Sequence, residues 1–143
     1  MGTLGGYLDT SALVALLRPE ALSERADHFV EDNPTGLIVS DFAAAEFASA
    51  VSRWVRMREL APDEGRIALQ NFDNWIARFA QREEVRTADI ALATTFLRRL
   101  DLPLRTPDAI HIAIVQRLGA TLVTFDRRMA ASARALGATV AEP

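Results

Sequence analysis

Thr106-Pro107-Asp108-Ala109-Ile110-His111-Ile112-Ala113 decides how the chain is read. The stretch has the form of the first two turns of a buried helix. Thr106 suits the N-cap, and Pro107 suits the first helical position, where an unsatisfied N–H would otherwise sit. Ala109, Ile110, Ile112, Ala113, Ile114 and Val115 make the helix apolar almost all round, as in an element packed deep in a domain. Asp108 falls in the first turn, where the helix dipole favours a carboxylate. It is either a second cap or a site residue, and three other acids tip the choice towards a site.

On the C-terminal side this helix runs to Gly119, a natural left-handed C-cap. Thr121-Leu122-Val123-Thr124-Phe125 is the clearest strand in the chain, and Asp126 follows it directly. A helix is expected from Arg127 to Leu136 and a last short strand at Thr139-Val140. On the N-terminal side, Thr87 opens a helix whose inward residues are expected to be Ile90, Ala93, Phe96, Leu97 and Leu100. Val85-Arg86 is a weak strand candidate. Pro62 opens a helix with the apolar stripe Ala68, Phe72, Trp75, Ile76 and Phe79.

Ser40-Asp41 caps the helix before it, whose core face is Ala43, Phe47, Ala50, Val51 and Trp54. The two form a helical hairpin. Glu46 lies on or beside that core face, an unusual place for an acid because unpaired charge is costly to bury. Leu37-Ile38-Val39 reads as a buried parallel strand, and Asn33-Pro34-Thr35-Gly36 as a turn. Leu22 to Val30 is helical. Tyr7-Leu8 ends a first short strand, Asp9 follows, and Thr10 or Ser11 caps a helix that Pro19 ends. Strands alternate with helices throughout, so the fold class is α/β with a mainly parallel sheet, in one domain over residues 1–143.

Half of the 143 residues are hydrophobic and about a quarter are charged, which is enough for a real core and excludes a disordered chain. The absence of cysteine excludes disulfides and thiolate metal sites. A net charge of −3 argues against a broad basic nucleic-acid surface. All 16 basic residues are arginine, which suits phosphate contacts but also follows from genome composition. Met1 to Gly6 carries neither a secretory nor a myristoylation signal, and no apolar run reaches membrane-spanning length. The cytoplasm is the expected location.

Ligands of open α/β sheets bind beyond the carboxyl ends of the strands. Asp9 and Asp126 follow strands, Asp108 opens a helix, and Glu46 lies within the first two turns of another. All four acids can converge on one edge. Four carboxylates side by side need a cation, and hard oxygen ligands select Mg²⁺ or Mn²⁺. One common use of such a group is hydrolysis of a phosphodiester. His111 is either a core histidine, the favoured reading, or a group that orients Asp108. Asp41 is read as an N-cap, Asp63, Glu64 and Asp89 as first-turn helix acids, and Asp73, Glu83 and Glu84 as solvated.

Tyr7-Leu8-Asp9-Thr10-Ser11, the interior Glu46, Thr106 to His111 and Val123-Thr124-Phe125-Asp126 together resemble a PIN domain, most closely of the VapC toxin type. The resemblance covers nearly the whole chain. It implies a three-layer α/β/α sandwich around a short, mainly parallel sheet, and a Mg²⁺- or Mn²⁺-dependent endoribonuclease. It maps the four catalytic and metal-binding acids onto Asp9, Glu46, Asp108 and Asp126, with Thr10, Ser11 and Thr124 in support. It further implies tRNA or rRNA as substrate, a small antitoxin as partner, and a homodimer. Exposed apolar content at Phe42, Trp54, Trp75 and Phe79 is expected to serve that association.

Arg105, Arg127 and Arg128 flank site acids and either contact RNA phosphates or balance local charge. A haloacid-dehalogenase-like phosphatase is disfavoured, because Ser11 stands where its second Asp is needed and the chain has no lysine. The remaining alternatives are a PIN nuclease of RNA maturation and a non-catalytic PIN-like binding module.

Overall fold

The structure, a computed structural model, describes residues 5–33 and 36–143. Pro34 and Thr35 of the expected turn, and Met1 to Leu4, lie outside the described residues. Five short strands form one parallel sheet in the order β3-β2-β1-β4-β5. They are β1 (Gly6–Leu8), β2 (Leu37–Ser40), β3 (Gln81–Glu83), β4 (Thr121–Val123) and β5 (Thr139–Ala141). The helices are α1 (Thr10–Leu17), α2 (Ser23–Asp32), α3 (Asp41–Arg56), α4 (Pro62–Phe79), α5 (Thr87–Leu97), α6 (Thr106–Leu118) and α7 (Arg127–Ala135).

Alternation along the strands makes the layers. Tyr7, Ile38, Leu122 and Val140 point to one face, where they pack with α5, α6 and α7. Leu8, Leu37, Val39 and Val123 point to the other, against residues of α1, α2, α3 and α4. Parallel strands covered on both faces read as continuous apolar runs, as the central strands β1, β2 and β4 largely do. α6 is buried from Asp108 to Val115, and Gly119 closes it at φ 61° in the left-handed region. α3 and α4 are locked by Phe47 stacked on Phe72, with ring centroids 4.5 Å apart. At Gly65 an added Cβ would stand 2.7 Å from Val55 Cγ2, so the two helices approach closely there.

Several local expectations shift. Asp9 itself caps α1, accepting from the Ala12 N–H, so neither Thr10 nor Ser11 is the cap. Arg105 occupies the N-cap position of α6, and Thr106 is already helical. Ser40 caps α3, and the Asp41 carboxylate instead meets Arg82 of β3 at 2.6 Å. The third strand is Gln81–Glu83, not Val85-Arg86. It is an edge strand with one neighbour, so it needs no apolar pattern, and Val85 packs on the core after the chain has left the sheet. The strand after α6 ends at Val123, because Thr124 turns its hydroxyl to Asp9.

The inward face of α5 is Asp89, Ala93 and Phe96, while Ile90 is 45% exposed. Leu100 lies past the end of α5 at φ 69° and is 90% exposed. The rotation of α5 follows from Asp89, which is not a simple first-turn acid. It is 1% exposed and takes two hydrogen bonds, of 2.7 and 3.0 Å, from the Arg117 guanidinium. Glu83, expected in solvent, meets the same arginine at 3.0 Å. Burial pushes the Asp89 carboxyl up, but Arg117 and the Arg86 N–H outweigh it and hold the carboxyl below the usual range.

Among the described residues no helix is long and apolar enough to cross a membrane. Trp54 is buried beneath the Arg18 guanidinium, Phe42 and Trp75 are half-buried, and Phe79 stays 45% exposed.

Removing one partner of a buried pair leaves an uncompensated charge, so Arg117→Met is expected to cost about 3 kcal/mol at neutral pH. Because the folded Asp89 pKa is depressed, its contribution is present above about pH 4 and is lost as pH falls through the folded value. Urea melts of both proteins should therefore converge as pH drops below that range. A constant difference at all pH values would show that lost packing, not the ion pair, carries the effect.

Candidate active site

The strand order changes direction at β1. The chain moves from β1 to β2 and β3 on one side and returns to β4 and β5 on the other. A crevice is expected beyond the carboxyl ends of strands at such a point. Asp9 leaves β1 there, and the segment Thr124 to Asp126 leaves β4 beside it. α3 and α6 supply the opposite wall. A cleft of about 250 Å³ results, lined by Asp9, Glu46, Asp108 and Asp126, together with Thr10, Ser11, Arg105 and His111.

Asp9 is the buried member of the group, 3% exposed. Its Oδ1 accepts from Ser11 Oγ at 2.6 Å and from the Ala12 N–H at 2.9 Å. Its Oδ2 accepts from Thr124 Oγ1 at 2.5 Å. Each hydroxyl in turn accepts from the backbone beyond β4: Ser11 Oγ from the Phe125 N–H and Thr124 Oγ1 from the Asp126 N–H, both at 2.9 Å. Two side chains thus relay the Asp9 carboxylate onto the loop that carries Asp126. Asp126 Oδ1 caps α7 through the N–H groups of Arg128 and Met129.

Asp108 Oδ2 reaches back to the Arg105 N–H at 3.1 Å and the Arg105 guanidinium at 3.4 Å. Asp108 and Asp126 are therefore caps as well as cleft residues. Glu46 Oε1 accepts from Thr10 Oγ1 at 2.6 Å and pairs with His111 Nε2 at 2.5 Å. Glu46 Oε2, Asp108 Oδ1 and Asp126 Oδ2 have no protein donor among the described residues. These are hard oxygen donors on three sides of one cleft, of the kind Mg²⁺ and Mn²⁺ take together with waters. Among the described residues no three His, Asp or Glu side chains stand together as a group able to hold a metal ion, so waters would have to complete the coordination.

Burial pushes the Asp9 carboxyl up, and the Ser11, Thr124 and Ala12 donors offset this only in part. Burial also acts against the Glu46 carboxylate, but His111 and Thr10 outweigh it and hold this acid below its usual range. The mutual repulsion expected of four bare acids is thus relieved locally, one acid being held by hydroxyls and another by an imidazole.

Of the flanking arginines, Arg105 lines the cleft, while Arg127 and Arg128 are exposed and do not. Arg53 and Arg56 stand with Thr10 and Glu46 in an adjoining groove. His111 is neither a plain core histidine nor a partner of Asp108, since its ring is bonded to Glu46 and to Tyr7. Nothing in the sequence marks the Tyr7 and Ser40 hydroxyls as site groups. Both lie in apolar strands, and only in the folded chain does the Ser40 hydroxyl meet Tyr7 and the Tyr7 hydroxyl meet His111.

A family profile for the PIN domain matches residues 6–135. The chain is 34% identical over 140 residues to Ribonuclease VapC46 of Mycobacterium tuberculosis, covering 96% of each chain. It is 30% identical over 123 residues to Ribonuclease VapC3 of Pyrobaculum aerophilum, covering 86% of this chain and 90% of that one. The crystal structure of Mycobacterium tuberculosis VapC20, a sarcin–ricin loop cleaving toxin, superposes with a TM-score of 0.72 at 20% identity, over 90% of this chain and 95% of that one. DNA-bound VapBC from Salmonella typhimurium gives 0.71 at 19% identity, over 97% and 98%. The chain belongs to the PIN-domain family.

A raised folded pKa favours the folded state below the ordinary aspartate range, and that contribution is lost as pH rises through the folded value. In EDTA, the melting temperature of Asp9→Asn relative to wild type should therefore shift in favour of the variant between about pH 4 and about pH 7. Glu46 acts with the opposite sign in both proteins, so the difference isolates Asp9. A difference that does not change with pH would mean that Asp9 is not held at a desolvation cost.

Proposed function

We propose that the chain is a Mg²⁺- or Mn²⁺-dependent endoribonuclease, the toxin of a VapBC-type toxin–antitoxin pair. The observation that carries this reading is the single cleft that gathers Asp9, Glu46, Asp108 and Asp126 in a chain with VapC ribonucleases as full-length relatives. Glu46, Asp108 and Asp126 would hold the cation directly or through its waters by their free oxygens, with Asp9 behind them. When bound, the cation lowers the pKa of a water and stabilises charge on a phosphodiester.

The chain's own residues do the rest. Thr10, Ser11 and Thr124 support the acids: Ser11 and Thr124 fix Asp9, and through it the loop of Asp126, while Thr10 holds Glu46. Arg105, on the cleft wall, is placed to meet an RNA phosphate, while Arg127 and Arg128, outside the cleft, act at most on strand further from the reaction. The substrate is tRNA or rRNA, the partner is a small antitoxin, and the site of action is the cytoplasm. Met57, Ile67 and Phe79, the first two well exposed at 63% and 59%, leave apolar surface for a homodimer. All four acids are present, which favours the enzyme over a non-catalytic PIN-like binding module.

The test is cleavage of total RNA and of RNA oligonucleotides by the purified protein. Mn²⁺ or Mg²⁺ should support cleavage and EDTA should abolish it. Asp9→Asn and Asp108→Asn keep size but remove charge, and each should lower the rate by about a hundredfold or more. Cleavage at the wild-type rate by Asp9→Asn, or full activity in EDTA, would overturn the assignment.

A further inference from the structure

A line of buried polar groups runs from the core to the cleft. Ser40 Oγ accepts from the Ala43 N–H at 3.0 Å and lies 2.8 Å from Tyr7 Oη. Tyr7 Oη lies 2.6 Å from His111 Nδ1, and His111 Nε2 lies 2.5 Å from Glu46 Oε1. Ser40 and Tyr7 are 0% exposed and His111 is 3% exposed. The Phe42 and Tyr7 rings stand edge-on to the imidazole, with centroids at 5.0 and 5.7 Å, and fix its plane. Burying three polar side chains among Ile110, Ile112 and Leu122 is unfavourable unless each is bonded. Here every buried polar side-chain atom among the described residues has a partner.

We propose that His111 is a positioning residue, which Tyr7 and Ser40 hold so that it aims the Glu46 carboxylate into the cleft. This rests on the reading of Glu46 as a site acid. The directions of the hydrogen bonds follow from the groups. An ionised carboxylate only accepts, so His111 Nε2 carries a proton and donates it to Glu46. In the tautomer with its proton on Nε2, the ring accepts at Nδ1 from the Tyr7 hydroxyl. Tyr7 accepts from the Ser40 hydroxyl, whose oxygen accepts from the Ala43 N–H. This orientation of protons satisfies the whole line.

Thr10 adds a second donor to the same oxygen, Oε1. Both donors on one oxygen leave Oε2 as the face offered to the cleft. The elements involved explain the reach of the device. Tyr7 belongs to the central strand, Ser40 to the cap of α3, His111 to α6 and Thr10 to α1. The orientation of Glu46 is thus tied to four elements that meet at the switch in strand order.

The experiment compares wild type, His111→Gln, His111→Leu, Tyr7→Phe and Arg117→Met. Gln keeps a donor for Glu46, Leu removes it, and Phe removes one oxygen from the line. Arg117→Met weakens the fold at the ion pair with Asp89, a group that makes no bond to Glu46, and controls for lost stability. Mn²⁺ binding, measured by electron paramagnetic resonance without RNA, should weaken about tenfold or more in His111→Leu, less in Tyr7→Phe, and not in Arg117→Met. With RNA, kcat should fall by a similar factor in His111→Leu with KM within about twofold, and His111→Gln should recover most of it.

Crystal structures should hold Glu46 in one position in wild type and His111→Gln, and in several in His111→Leu. If His111→Leu does not fold, Tyr7→Phe decides through the same readouts. Unchanged Mn²⁺ affinity and an unmoved Glu46 in the His111→Leu and Tyr7→Phe variants would overturn the proposal, as would losses that Arg117→Met shares. Wild type that neither binds Mn²⁺ nor cleaves RNA would overturn the functional reading instead, and the position of Glu46 would still decide the role of His111.

Discussion

The centre of the fold depends on one desolvated carboxylate. Asp9 leaves the middle strand of the sheet and is almost wholly covered, so its oxygens need donors close at hand. Ser11, Ala12 and Thr124 supply them, and the two hydroxyls are themselves held by the backbone after β4. The same contacts cap α1, register β1 against the end of β4, and set where Asp126 begins α7. A polar group that is costly to bury thereby becomes a joint between distant parts of the chain.

Around that joint the acids divide into two kinds. Asp9 has both oxygens engaged. Glu46, Asp108 and Asp126 each spend one oxygen on the protein and keep one for the cleft. For Asp108 and Asp126 the engaged oxygen does capping work at a helix N-terminus, where the dipole also favours the negative charge. The choice between cap and site residue that Asp108 poses in sequence is resolved by the two oxygens of a carboxylate, which fill both roles. Glu46 lies in the second turn of α3, beyond the cap, and is held instead by Thr10 and His111. Phe47 beside it sets the rotation of α3 by stacking on Phe72, so that Glu46, the residue before it, meets the cleft.

The lessons of α5 and β3 differ. Ile90 looked inward on hydropathy alone, yet Asp89 takes the buried face because Arg117 waits on α6 to meet it. An ion pair between helices leaves no mark in the period of either. Gln81–Glu83 pairs as an edge strand although its residues are polar, since backbone hydrogen bonds to one neighbour are enough there. The strand expected to run to Phe125 stops at Val123, and the Thr124 side chain there bonds an acid 115 positions away.

Local chemistry was legible in the chain by itself. Apolar runs bounded by Gly, Pro and capping residues mark the strands and helices, and their alternation marks the α/β class. The places of Asp9, Asp108 and Asp126 at strand ends and helix starts follow from the same short-range signals, because capping and patterning act within one turn. Only the tertiary structure decided which groups meet. It brought Ser40, Tyr7 and His111 into one line behind Glu46, exchanged Asp89 for Ile90 on the buried face, and left Arg127 and Arg128 outside the cleft. Those outcomes depend on contacts between residues far apart in the chain, and the bonding of a buried polar side chain is settled by what the fold sets beside it.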